Sequence, residues 1–120
     1  MSQRRVVVTG MGMVSPLGND LASSWDGIVN GRSGIGPVTH FDASAYATRI
    51  AGEIRDFDPT AFLPPKDAKK MEPFIHYGLA AAFMALDDSG LEITEANAER
   101  VGAIIGSGIG GILGIEEQTA

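Results

Sequence analysis

The sequence predicts an α/β fold with a largely buried sheet, on three observations. Val6, Val7 and Val8 form a consecutive β-branched run closed by Gly10 and Gly12, the pattern of a strand covered on both faces. Two later segments place apolar residues at helical spacing. Val101 to Ile105 is a further apolar run ended by glycine. The resulting order is strand, helix, strand, helix, strand.

Taken in turn, Arg5 to Thr9 reads as the first strand, followed by a loop at Ser15-Pro16-Leu17-Gly18. Asn19 or Asp20 can cap the next helix, because Leu21, Trp25, Ile28 and Val29 share one helical face. Gly31 is its natural stop. Arg32 to Ala47 is irregular, and Thr48 to Ile54 reads as a second strand. Asp58-Pro59 and Pro65 both carry the proline-first signature of a helix start, so two short helical segments follow. The clearest helix runs from Glu72 or Pro73 to Ser89, with Ile75, Leu79, Ala82, Phe83 and Leu86 on one face and Gly90 just beyond its end. Its small residues Gly78, Ala80, Ala81, Ala82 and Ala85 permit close packing. After Val101 to Ile105 comes a glycine cluster and a last helical pattern from Ile112, which reaches Ala120 with no glycine, proline or basic turn to end it. The polypeptide is therefore expected to continue.

Composition narrows the function. Nine basic against fifteen acidic residues give a net charge of −6, which disfavours nucleic-acid binding. There is no cysteine, so no disulfide, thiolate metal site or thiol nucleophile lies within these residues. The longest uncharged apolar stretch, Val101 to Ile115, falls short of the roughly 18 residues of a membrane span. The apolar run behind Arg4 and Arg5 is too short for a secretory leader, and the chain reads as soluble and cytoplasmic.

Two glycine clusters raise the possibility of phosphate binding at a helix N-terminus. Gly10-Met11-Gly12-Met13-Val14-Ser15 has serine at the third fingerprint position, with Pro16 where a helix should begin, so a structural turn is the better reading. Gly106, Gly108 and Gly111 match GxGxxG literally, and a dinucleotide-binding α/β domain stands as one alternative. A lone match in so glycine-rich a chain favours a tight turn beside a cavity or a subunit contact.

Four segments in order carry a more specific signal: RRVVVTGMGMVSPLGN, the GRSGI turn with FDASAYATRIAGEI, KKMEPFIHYGLAAAFMALDDSGL, and RVGAIIGSGIGG. Together they resemble the start of the β-ketoacyl-acyl-carrier-protein synthases, and the SPLG turn and KMEPFIHY segment are closer to type II than to type I. The resemblance implies a thiolase-like fold, layered αβαβα in the complete enzyme. Residues 1–120 would then form the first portion of its N-terminal domain. It implies an acyltransferase of fatty-acid elongation, working as a homodimer on acyl carrier protein with phosphopantetheine-linked acyl and malonyl groups, with no cofactor and no metal.

In that family a cysteine takes the acyl group and two histidines support decarboxylation and condensation. None of the three is here: His40 and His76 lie outside the family's histidine motifs, so the catalytic residues are expected beyond Ala120. Two features remain within reach. Lys66, Lys69 and Lys70 fall within five residues of an acidic chain. A charge run is ordinarily a solvated face, but the matching family segment docks the acidic helix of the carrier protein. Ile109 matches the family position lining the acyl-chain pocket, with core packing as its other reading. A non-catalytic chain-length partner of the condensing enzymes, which keeps the fold and lacks the cysteine, is a second alternative.

Overall fold

The computed structural model describes residues 3–119 of the chain. Met1, Ser2 and Ala120, on which the readings of the leader and of the last helix partly fall, lie outside the described residues.

Helix α1 spans Leu21–Val29, and of the two candidate caps Asp20 is the one used: its carboxylate accepts from Ser23 N at 2.7 Å. Those hydrogen bonds from Ser23 hold the Asp20 carboxyl below the usual carboxylate range. Asn19 instead donates to the Arg55 carbonyl at 2.9 Å. The helix ends at Asn30, and Gly31 takes the left-handed conformation at φ 63°. Behind it, Ser15 and Gly18 exchange backbone hydrogen bonds of 2.9 and 3.1 Å, closing the expected loop. Ser24 is completely buried there, its hydroxyl donating to the Gly18 carbonyl at 3.0 Å and lying 2.8 Å from the Ser15 hydroxyl. The buried face of α1 is thus Ser24 and Gly27, while Trp25, Ile28 and Val29 stay exposed.

The only ladder among the described residues pairs β1 (Gly36–Pro37) antiparallel to β2 (Ile50–Ala51), with Gly36 opposite Ala51 and Pro37 opposite Ile50. The strand expected over Thr48 to Ile54 shortens to two residues, with one further backbone bond beyond the pair, from Val38 N to the Arg49 carbonyl at 3.0 Å. Glu53 is buried beside this pair and accepts from Thr39 N, Thr39 Oγ1 and His40 N at 2.9, 2.7 and 3.3 Å. These bonds lower its carboxyl below the usual range.

Both proline-first signatures hold. Asp58 caps a single 3₁₀ turn at Pro59–Ala61 through Thr60 N, and α2 runs Pro65–Ala68. Helix α3 spans Pro73–Ser89 and stops at Gly90, left-handed at φ 61°. Phe57 joins the two regions, stacking on Phe62 at 6.1 Å and meeting Tyr77 edge-on at 5.2 Å between ring centres. Burial pushes the Tyr77 hydroxyl up. A second 3₁₀ turn lies at Ala98–Arg100, and α4 occupies Ile112–Thr119. No helix among the described residues is long and apolar enough to cross a membrane.

The small residues of α3 receive the N-terminal segment. A Cβ on Gly10 would strike the Ala85 carbonyl and lie 2.6 Å from Ser89 N, and one on Gly12 would strike the Ala81 carbonyl. Gly10 and Gly12 are two apart, as along an extended chain, while Ala81 and Ala85 are four apart on one helical face. The first glycine cluster is therefore a crossing point of backbones, not a turn.

The expected strands Arg5 to Thr9 and Val101 to Ile105 form no ladder among the described residues. Val6 is 95% exposed and Ile104 fully so. Apolar runs of this kind become strands only when neighbours complete their hydrogen bonds and cover both faces, and the described residues supply neither. Among the described residues the buried apolar core is only Ala43, Ala68 and Ala80. The chain exposes 9792 Å², against about 6,200 Å² for a folded monomer of its mass. Its radius of gyration is 17.8 Å, against about 14 Å for a domain of its length.

Candidate functional site

The three lysines are carried by α2 and its end. Lys66 lies in the helix, Lys69 is its C-cap, and Lys70 N donates to the Asp67 carbonyl at 3.0 Å. All three are exposed, whereas Asp67 is half-buried and Ala68 is buried. The basic side chains therefore share a short turn anchored from below. His76 supplies part of that anchor: its Nε2 lies 2.9 Å from the Ala68 carbonyl, and since a carbonyl only accepts, Nε2 carries the proton. This gives His76 a structural partner. His40 Nε2 lies 4.0 Å from Glu53 and is more than half exposed.

The second candidate region is the turn from Gly106 to Gly111 between the apolar run and α4. Ile109 has φ 69° and Gly110 also has φ 69°. A β-branched residue in the left-handed region costs on the order of 1–3 kcal/mol and persists only where its surroundings impose it. Ile109 is 77% exposed, so among the described residues it is not a core residue. Beside the turn, an apolar groove of about 460 Å³ runs between α3 and residues 105–107, with Phe74, Tyr77, Leu79 and Ile105 in its walls. Ile109 is not among the residues lining that groove.

Two residues given no role by the sequence reading meet this turn. A Cβ on Gly110 would sit 3.0 Å from the Phe74 ring, and one on Gly111 or Gly114 would overlap the Glu72 carboxyl. The signal was present as glycines at 110, 111 and 114, each a place where another group comes close. The Glu72 carboxylate over the start of α4 also bears on the dinucleotide alternative. It lies where that alternative needs a pyrophosphate, and its negative charge opposes an anion there. The lysines at 66–70 and the turn at 106–111 are thus linked through one short stretch, since Glu72 and Phe74 follow directly on Lys70 and Met71.

Residues 3–120 match the family model described as Beta-ketoacyl synthase, N-terminal domain. The chain is 62% identical over 112 residues to 3-oxoacyl-acyl-carrier-protein synthase 2 of Vibrio harveyi, covering 93% of this chain and 27% of that protein. It is 55% identical over 116 residues to the synthase of the same name from Vibrio cholerae, covering 97% of this chain and 28% of that protein. The corresponding figures for the Synechocystis synthase of that name are 48% over 118 residues, 98% and 28%. Among solved structures it is similar to the ishigamide ketosynthase/chain length factor, with a TM-score of 0.65 and 38% identity over 76% of this chain and 23% of that one. The chain spans just over a quarter of the length of the curated relatives it matches. On this agreement along nearly all of its residues, the chain belongs to the β-ketoacyl synthase N-terminal domain family.

Proposed function

We propose that these residues are the first portion of the N-terminal domain of a type II condensing enzyme of fatty-acid elongation, with the thiolase-like layered fold of that family. The complete enzyme would transfer an acyl group from acyl carrier protein to a cysteine thiolate, releasing the carrier thiol. Malonyl carrier protein then loses carbon dioxide, and the resulting carbanion attacks the acyl-cysteine to give 3-oxoacyl carrier protein and the free thiolate. The observation that carries this reading is the 62% identity to a 3-oxoacyl-acyl-carrier-protein synthase 2 across almost the whole chain. The open apolar surface at Val6 to Val8 and Ile104 supports it, since a larger domain would cover it. With no cysteine, this chain alone is inactive in condensation.

Within that enzyme, Lys66, Lys69 and Lys70 dock the carrier protein, Ile109 lines the acyl pocket, and the working form is a cytoplasmic homodimer. A full-length protein carrying this segment, given acyl and malonyl carrier proteins, is expected to release carbon dioxide and form a product two carbons longer. Alkylating its thiols should abolish the product. Decarboxylation without elongation would instead identify the chain-length-partner alternative, which the ketosynthase/chain length factor relative keeps in view. Saturable dinucleotide binding would revive the GxGxxG reading.

Ile109→Phe in the same protein is expected to shorten the longest accepted acyl primer. The expected loss in kcat/KM for long primers is about tenfold or more, equivalent to about 1.4 kcal/mol, with little change for short ones. Equal losses at every chain length would show that the substitution acts on folding and not on the pocket.

A further inference from the structure

We propose that Glu72 and Phe74 are positioning residues that hold Ile109 in its left-handed conformation and thereby help set the acyl-chain limit, an inference that rests on the pocket-lining reading of Ile109. The turn is crowded on one side. A Cβ on Gly106 or Gly108 would meet nothing within 4 Å, so the side-chain space before Ile109 is open. After Ile109 the reverse holds: the Phe74 ring lies 3.0, 3.1 and 3.4 Å from the position of a Gly110 Cβ, and the Glu72 carboxyl occupies the side-chain space of both Gly111 and Gly114. Ile109, at φ 69°, sits where the free half of the turn meets the clamped half.

The clamp has a rigid base. Glu72 is the N-cap of α3 and Phe74 lies in its first turn, so both move with a helix of 17 residues. What they grip is equally defined. Ile112 N donates to the Gly110 carbonyl at 3.1 Å and Ile115 N to the Gly111 carbonyl at 3.2 Å, so Gly110 and Gly111 are bound into the start of α4. A carboxylate at that start faces the positive end of the helix dipole, an attraction that the neutral amide of Gln lacks. Releasing the Phe74 contact loosens Gly110, and releasing the Glu72 contact loosens Gly111, the two residues that follow Ile109.

The test uses a full-length protein carrying this segment, with Glu72→Gln, Glu72→Ala, Phe74→Leu and Ile109→Phe. Two quantities are read: amide hydrogen exchange over residues 108–112, and the ratio of kcat/KM for long against short acyl primers. Glu72→Ala and Phe74→Leu are expected to speed exchange there about tenfold and to change the ratio about threefold or more, with Glu72→Gln intermediate. Combining Phe74→Leu with Ile109→Phe should give less than the product of the two separate effects on the ratio, since both act on one position. Unchanged exchange in both Glu72→Ala and Phe74→Leu overturns the clamp. Faster exchange with an unaltered ratio, while Ile109→Phe alters it, overturns the role in chain-length choice. If Ile109→Phe itself leaves the ratio unaltered, the pocket reading of Ile109 fails and takes the chain-length role with it, and exchange alone then decides the clamp.

Discussion

Reversing the charge of both Lys66 and Lys69 to glutamate in a full-length synthase is expected to raise the Michaelis constant for carrier-protein substrates by roughly tenfold or more at low salt. The turnover number should change little. Both lysines are exposed on a turn fixed from below by Ala68 and His76, so the substitution alters the field at the surface without disturbing packing. Exposed charges are screened over about 8 Å at physiological ionic strength, so the effect should shrink steadily as salt is added. A Michaelis constant that does not move at low ionic strength removes α2 from the docking surface. A matching loss with a small thioester lacking the carrier protein would do the same, because that substrate has no acidic helix to steer.

Gly12→Ala is expected to be strongly destabilising for a single-methyl change. The added Cβ would strike the Ala81 carbonyl and lie 2.8 Å from the Met84 Cβ, both on the inner side of α3. Overpacking commonly costs about 1–3 kcal/mol, and here the colliding oxygen belongs to a helix backbone that cannot rotate aside. Gly78→Ala is the matched control. Its Cβ would find only Ile105 Cγ2 at 3.8 Å, and it sits inside α3, where alanine is favoured over glycine by about 0.5–1 kcal/mol. Urea unfolding of the full-length protein should therefore move its midpoint down for Gly12→Ala and level or up for Gly78→Ala. Equal midpoints for the two variants would mean that residues 10–12 do not cross α3 as described.

What could be read from the sequence follows the range of the forces involved. Asp20, Pro65, Pro73 and Gly90 act on neighbours within one helical turn, and each of these boundaries lies where the sequence puts it. The valine run at 6–8 and the run at 101–105 were expected as strands, but strand formation depends on partners distant in sequence, and the described residues do not provide them. The apolar stripe of α1 was legible as residue types, yet the face it buries is that of Ser24 and Gly27, because the Ser15 to Gly18 loop closes onto a hydroxyl. In the candidate site, the lysines at 66–70 stood out by spacing and resemblance. Glu72 and Phe74 did not, since what makes them notable is their contact with glycines almost forty positions later. Glu53 escaped for the same reason, with its donors at Thr39 and His40.

The bare valines at 6–8 and isoleucines at 104 and 105 have a consequence during protein synthesis. On the proposed reading that these residues open a longer synthase, with the 28% share seen for the Vibrio cholerae protein, nearly three quarters would remain to be made when they leave the ribosome. At about 5–20 residues per second that interval lasts on the order of tens of seconds. Throughout it, two exposed apolar segments without ladder partners would stand open to any other nascent chain, and the net charge of −6 would oppose their sticking together.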